Sequence, residues 1–159
     1  MKHLPKHLRP RWRYLAVGIE TWPDADLNRR GFQRALWYAA GNLVGDSGSA
    51  DADLTLLRFA YSGGTGEAVV RVRHGHGTDA RAAIACISDV DGDTVGIRVR
   101  GISGTVRACE ERYMGRAGAS SVQRDVAFGD AGRTAVVRED ARDLQTESGY
   151  LGAAAFDIE

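Results

Sequence analysis

The sequence predicts an α+β fold of the split βαβ kind, in which a four-stranded antiparallel sheet carries two helices on one face. Three observations predict it: segments whose apolar residues alternate as in half-buried strands, segments with apolar stripes at helical spacing, and the order β-α-β-β-α-β along residues 13–102. The 159 residues fit one domain with an appendage, and 43% hydrophobic with 26% charged residues is the composition of a folded globular protein.

The first strand is predicted over residues 13–20, where Leu15, Val17 and Ile19 alternate with small or polar residues. A helix follows, with Asp24 or Asp26 as its N-cap and an end near Val44. Its apolar stripe consists of Phe32, Ala35, Leu36, Ala39 and Leu43. The next residues, 45–50, have the composition of a loop.

The second half of the motif begins with a hairpin and continues through a helix to the last strand. Its predicted elements are a strand over 53–61, a turn over 62–66, a strand over 67–74, a helix over 79–90 capped by Thr78, a turn at Asp91-Gly92 and a strand over 94–102. This arrangement is a ferredoxin-like, RRM-like α-β sandwich with one helix face and one free face.

A third helix is predicted after the sheet, from Ser103-Gly104-Thr105 to about Gly115. Residues 1–115 would then form the sandwich domain, with 16 basic and 13 acidic side chains. Residues 116–159 hold 5 basic and 8 acidic side chains and little periodicity. We predict an acidic, weakly structured tail there, with a short strand at 135–137 and a weakly helical stretch at 139–146.

The free face of the sheet is predicted to be basic. Arg71 and Arg73 alternate with apolar residues in the third strand, and Arg98 and Arg100 do so in the fourth. In the strand order 4-1-3-2, the first strand lies between them and offers Tyr14 as its aromatic residue. Guanidinium groups contact phosphate oxygens in pairs, so this trough suits a phosphate backbone. Alternatively, Arg71 and Arg73 pair with nearby acids or are covered by the third helix.

Two further segments suit phosphate groups. The N-terminal arm is basic and contains no acid; its cationic residues are Lys2, Lys6, Arg9, Arg11 and Arg13. Alternatively, this arm is a solvated, frayed terminus. Ser103-Gly104-Thr105 begins the third helix and Arg107 lies in its first turn, which is the composition of an anion site, although an N-cap formed by Ser103 explains the same residues.

The residues predict no active site and no metal site on this chain. Cys86 and Cys109 lack the spacing of metal ligands and are expected to be two buried thiols. His74 and His76 are expected to be solvated loop residues, and 89–93 lacks the glycine and glutamate that a calcium loop needs. No segment is long and apolar enough to cross a membrane, and we expect a cytoplasmic protein.

Five segments together resemble the archaeal ribonuclease P protein component 2 family, whose eukaryotic relatives are shared by ribonuclease P and ribonuclease MRP. They are RYLAVGIE, ALWYAAGNLVG, LRFAYSGGTGEAVVRVRHG, ARAAIACISDV and VRGISGTVRACEERYMG. The resemblance covers about residues 1–115. It implies a non-catalytic subunit of the ribonucleoprotein that removes the 5′ leader of precursor tRNA, with catalysis supplied by the RNA subunit and its Mg²⁺.

The resemblance also implies a protein partner, ribonuclease P protein component 3. Trp37 and Tyr38, off the apolar stripe of the first helix, are the candidate residues for that contact. The alternative function is a ferredoxin-like small-molecule-binding or metabolic regulatory domain, whose free face would bind an effector or a second copy.

Overall fold

The main sheet has five antiparallel strands. The computed structural model describes residues 3–115, 122–129, 131–137, 141–147 and 149–154. The strands are β1 (Trp12–Thr21), β2 (Thr55–Ser62), β3 (Thr65–Arg73), β4 (Asp89–Val90) and β5 (Asp93–Ser103), in the order β2-β3-β1-β5-β4. The four predicted strands have the predicted order. The short β4 pairs with β5 as an additional edge strand, so the sheet has five strands and not four.

The second helix ends at Ala85, earlier than predicted, and this leaves Asp89 and Val90 free to form β4. Asp91 and Gly92 have φ angles of 51° and 91°, and they form the two-residue turn between paired Val90 and Asp93. Turns with two left-handed residues match the twist of a hairpin. The predicted turn is therefore correct, whereas the residues just before it, predicted to be helical, belong to a strand.

Two helices cover one face of the sheet. They are α1 (Arg29–Ala52) and α2 (Gly77–Ala85). The N-cap of α1 is Asn28, which accepts from the Gly31 N–H at 2.8 Å, and not the predicted Asp24 or Asp26. Gly45, with a φ of 76°, interrupts the helix where its end was predicted, but helical structure resumes and continues to Ala52.

The core between these helices and the sheet confirms the predicted faces. Its members include the alternate residues of β1 and β3, the first inward residue of β5 and most of the helix stripes: Leu15, Val17, Ile19, Phe32, Leu36, Ala68, Val70, Val72, Ala83, Ile84 and Val95. Leu43, which was predicted to belong to the stripe, is 45% exposed because it lines an open groove between α1 and the end of α2.

The third helix, α3 (Val106–Tyr113), packs on the opposite face of the sheet and contacts β1, β3 and β5. Cys109 lies there with Ala16 and Val69, and all three are fully buried. The face that was predicted to stay free is therefore partly covered.

Residues beyond α3 form a second antiparallel sheet. Its strands are β6 (Val122–Phe128), β7 (Ala131–Val137), β8 (Ala141–Thr146) and β9 (Gly149–Ala154), in sequence order. The strand predicted at 135–137 lies within β7. The predictions of weak structure and of a helical stretch at 139–146 were wrong for the described residues, because backbone pairing and a small cluster around Ala135, Leu144 and Ala153 are sufficient to form strands.

Side chains of α1 cover the outer edge of β2 at its start. Arg29 donates to the carbonyls of Leu56 and Leu57, at 2.6 and 3.2 Å. Gln33 accepts from the Leu56 N–H at 2.7 Å and donates to the Leu54 carbonyl, which Trp37 Nε1 also contacts at 2.9 Å. The three side chains are four residues apart, so one side of the helix satisfies this part of the strand edge.

Candidate nucleic-acid interface

The strand register places aromatic and basic side chains together on the α3 side of the sheet. Trp12 pairs with Arg73 and Tyr14 pairs with Arg71 across β1 and β3. On the other side of β1, Gly18 pairs with Arg98. Paired residues of neighbouring strands share a face. The predicted alternation is therefore correct for these arginines.

Trp12 contacts two of these arginines. The guanidinium carbon of Arg71 lies 4.0 Å from the centre of the Trp12 ring, and that of Arg73 lies 5.6 Å from it. No carboxylate among the described residues forms an ion pair with either arginine. Trp12 was not predicted to lie on this face, because the first strand was predicted to begin at Arg13, one residue too late.

Arg100 has a different environment. Its Nη1 atom forms a largely buried ion pair with Glu67 and donates to the Tyr113 carbonyl at 3.3 Å. The second Glu67 oxygen accepts from the Gly115 N–H at 3.0 Å. The four arginines therefore do not form one open trough, because the charge of Arg100 is compensated by Glu67 and connects the end of α3 to the sheet.

The position of Arg100 depends on a β-bulge. Ala16 pairs with Gly101 and Val17 pairs with Val99, so Arg100 is an extra residue in β5. Sequence alternation could not reveal this irregularity. It did contain a signal for the partner, since Glu67 lies two and four residues before Val69 and Arg71 and thus belongs to the same face of β3.

Beside the ion pair is a depression of about 230 Å³. Its lining includes Gly18, Glu20, Gly96 and Arg98. A side chain at Gly18 would approach Arg100 Nε within 2.9 Å, so the glycine lets that guanidinium lie flat against β1. Arg98 is exposed at the rim, and the surface around it carries both signs of charge.

The N-terminal arm continues from this face. Lys6, Arg9 and Arg11 are exposed, and Arg13 is half-buried. Residues Lys6–Leu8 form one short 3-10 turn, and Arg9 Nε donates to the Leu4 carbonyl at 2.8 Å. The His74 N–H donates to the Arg11 carbonyl at 2.9 Å, which attaches the end of the arm to the end of β3.

The start of α3 is capped by Thr105, not by Ser103. The Thr105 hydroxyl accepts from the Ala108 N–H at 3.1 Å. Ser103 is 4% exposed, and its hydroxyl has no hydrogen-bond partner within the described part of the chain. Gly104 is exposed with open space around it, and Arg107 forms an exposed ion pair with Glu111 at 2.8 Å.

The candidate partner residues lie on the other side of the molecule, on α1. Tyr38 is 75% exposed and Trp37 is 54% exposed. Trp37 is also bonded to the Leu54 carbonyl, so it stabilises the edge of β2 as described above. Tyr38 borders a groove of about 540 Å³ between α1 and the end of α2, together with Ala35, Leu43 and Ile87.

The two cysteines differ. Cys109 is fully buried, and burial together with the neighbouring Glu110 raises the pKa of its thiol. Cys86 is exposed, contrary to the prediction, because α2 ends there and turns toward β4. Within the described ranges, no three His, Cys, Asp or Glu side chains converge as metal ligands do, and no helix is long and apolar enough to span a membrane.

Helices on both faces of a split βαβ sheet define a small α+β sandwich protein. The basic arm, with Arg71 and Arg73 that no described carboxylate pairs with, gives it a surface suited to polyanions. The chain belongs to the Rpp14/Pop5 family, which matches residues 13–114. This match covers the arm's last residue, nearly the whole main sheet and all three helices.

Curated relatives match this chain more fully. It is 79% identical over 159 residues to "Ribonuclease P protein component 2" of Halorubrum lacusprofundi, covering 100% of both chains. The Haloarcula marismortui protein of that name is 58% identical over 160 residues, covering 99% of each. The Pyrococcus furiosus protein is 28% identical over 117 residues, covering 74% of this chain and 94% of the relative. The second sheet lies beyond the family match, whereas the Halorubrum relative matches its whole length.

Proposed function

We propose that this chain is a protein subunit of ribonuclease P, the ribonucleoprotein endoribonuclease that removes the 5′ leader from precursor tRNA. The observation that carries the proposal is the 79% identity, over the full length of both chains, to a ribonuclease P protein component 2. No finding favours the alternative of a small-molecule-binding regulatory domain.

In this proposal the chain is non-catalytic and supports the RNA subunit, which supplies the catalysis with its bound Mg²⁺. Exposed guanidinium and ammonium groups neutralise phosphates and release counterions, which gives affinity without base recognition. The residues proposed to contact RNA are Lys6, Arg9, Arg11, Arg13, Arg71, Arg73, Arg98, Ser103, Gly104, Thr105 and Arg107. Arg100, also predicted to bind RNA, is assigned to the ion pair with Glu67 instead.

The proposed protein partner is ribonuclease P protein component 3. Exposed aromatic side chains are frequent anchors of protein interfaces. Tyr38 and Trp37 are the largest exposed hydrophobic side chains on α1, and the groove beside Tyr38 offers an apolar surface next to them. We further propose a cytoplasmic location, where precursor tRNA is processed in a cell without a nucleus.

Reconstitution of precursor-tRNA cleavage tests the function. The RNA subunit and the other protein subunits are combined with and without this chain, at a Mg²⁺ concentration where the RNA alone is slow. We expect the chain to raise the cleavage rate and leave the cleavage position unchanged. Equal rates with and without the folded chain would contradict the proposal. Replacement of Arg98 by alanine should reduce the gain, while exposed Arg81 of α2, on the opposite side of the sheet, is the matched control.

A further inference from the structure

We propose that Trp12 is a positioning residue that holds Arg71 and Arg73 together as a clamp for the phosphodiester backbone of RNA. The inference rests on the proposed function and makes it specific to one part of the face. It assigns a role to an aromatic residue that makes no base contact itself.

The backbone brings the three side chains together. Trp12 pairs with Arg73, and Arg71 lies two residues before Arg73 on the same face of β3. The ring therefore lies beside both guanidinium groups, whose central carbons are 4.0 and 5.6 Å from its centre. Trp12 and Arg71 are both half-buried, so their positions are limited by the surrounding side chains.

No carboxylate in the described part of the chain compensates the charges of the clamp. The carboxylate nearest along β3, Glu67, is engaged by Arg100 and the Gly115 N–H. Arg71 Nε is buried and has no hydrogen-bond partner among the described residues. A ring face attracts a cation but does not neutralise it. The two neighbouring guanidinium groups, with no described carboxylate between them, favour binding of an anion that has several oxygens. A phosphate is such an anion, and its oxygens match the geometry of guanidinium donors.

The position of Trp12 also favours phosphate contacts over base stacking on this part of the face. Base stacking needs a free aromatic face. The guanidinium of Arg71 lies at stacking distance over the Trp12 ring, so that face is occupied. The ring instead holds a planar cation in one orientation, which reduces the conformational entropy that the arginine loses when it binds phosphate.

The test measures the affinity of the folded chain for the transcribed RNA subunit at several salt concentrations. Trp12→Leu removes the ring and should weaken binding about fivefold, the effect expected when a cation-π interaction is removed. Because it misplaces the two arginines, it should also lower the slope of log K against log salt by about one for each phosphate that is no longer neutralised. Trp12→Phe keeps a ring and should stay within about twofold of the unaltered protein.

A double-mutant cycle separates positioning from stability. Arg71→Ala with Arg73→Ala should weaken binding, and adding Trp12→Leu to that pair should change nothing more. Arg98→Ala should weaken binding equally with and without the ring, because Arg98 lies on the far side of β1. Arg71→Lys keeps the charge but loses the guanidinium that lies over the ring, and should weaken binding about threefold with an unchanged melting temperature.

The outcomes distinguish the clamp from the proposed function. If the Arg71 and Arg73 variants weaken binding but Trp12→Leu leaves affinity and salt slope unchanged, the positioning role is wrong and the subunit function stands. If the chain itself neither binds the RNA nor raises cleavage, the function fails as well. If Trp12→Leu reduces binding to protein component 3 and leaves RNA binding intact, the clamp holds a protein carboxylate and the proposal is overturned.

Discussion

The ring of Tyr113 occupies the space that a side chain at Gly101 would need. A Cβ atom on Gly101 would lie 2.2 Å from Tyr113 Cζ, closer than any van der Waals contact allows. Tyr113 is the last residue of α3, and Gly101 lies in β5 beside the bulge at Arg100. The missing side chain therefore lets the third helix approach the sheet.

Gly101→Ala should destabilise the protein by about 1–3 kcal/mol, because the ring and the end of α3 must move away from β5. Urea unfolding measures the free-energy change. Gly104→Ala is the matched control, since a Cβ there meets nothing within 4 Å. In a Tyr113→Ala background the cost of Gly101→Ala should largely disappear. An equal cost in both backgrounds would mean that the ring is not the obstacle.

Glu67→Gln should cost about 3–5 kcal/mol of unfolding free energy, because it leaves the Arg100 guanidinium buried without its counter-charge. The side chains are 10% and 18% exposed. Glu110→Gln, which breaks the exposed pair with Arg58, should cost less than about 1 kcal/mol by the same denaturation measurement. Similar costs for the two variants would show that burial does not strengthen the Glu67 pair.

Tyr38→Ala should weaken binding to protein component 3 by about 2 kcal/mol or more, with no shift in melting temperature. Isothermal titration and thermal unfolding of the same samples check both parts. Trp37→Ala should lower the melting temperature as well, because it removes the hydrogen bond to the Leu54 carbonyl. Partner binding that survives Tyr38→Ala would exclude this side of α1 as the interface.

Thr105→Ala should destabilise the protein by about 1 kcal/mol, the usual cost of removing an N-cap. Ser103→Ala should cost little or be stabilising, since the buried hydroxyl has no partner to lose among the described residues. Chemical denaturation distinguishes the two. Gly104→Val has room for its side chain, so a loss of RNA-dependent cleavage in the folded variant would indicate a phosphate at this helix start.

The sequence predicted the regular parts of the sheet well because alternation follows directly from strand geometry. Successive residues of a strand point to opposite faces, so alternation predicted the inward residues of β1 and β3. It also predicted the outward positions of Arg71 and Arg73. The bulge at Arg100 interrupts the alternation of β5, so the ion pair was not predicted, although Glu67 on the same face of β3 was a signal for it. The environment of Arg100 was set by a distant carboxylate and by the end of a helix, which are tertiary interactions.

The second sheet was missed for a different reason. Its described strands contain few large apolar residues, and the cluster around Leu144 is small. Strand formation there depends on backbone pairing between neighbours along the chain, which leaves only a weak side-chain pattern. The capping of α1 by Asn28 was missed because two aspartates nearby offered equally good chemistry.

The bonds of Arg29, Gln33 and Trp37 to β2 affect how readily the free chain aggregates before it joins a ribonucleoprotein. An unpaired strand edge recruits other chains and begins aggregation. Here the outward backbone groups of Leu54, Leu56 and Leu57 are already bonded to α1 side chains. A newly made subunit thus has a shorter free strand edge for pairing with other chains. The rest of β2 begins with Arg58, whose charge also opposes such pairing.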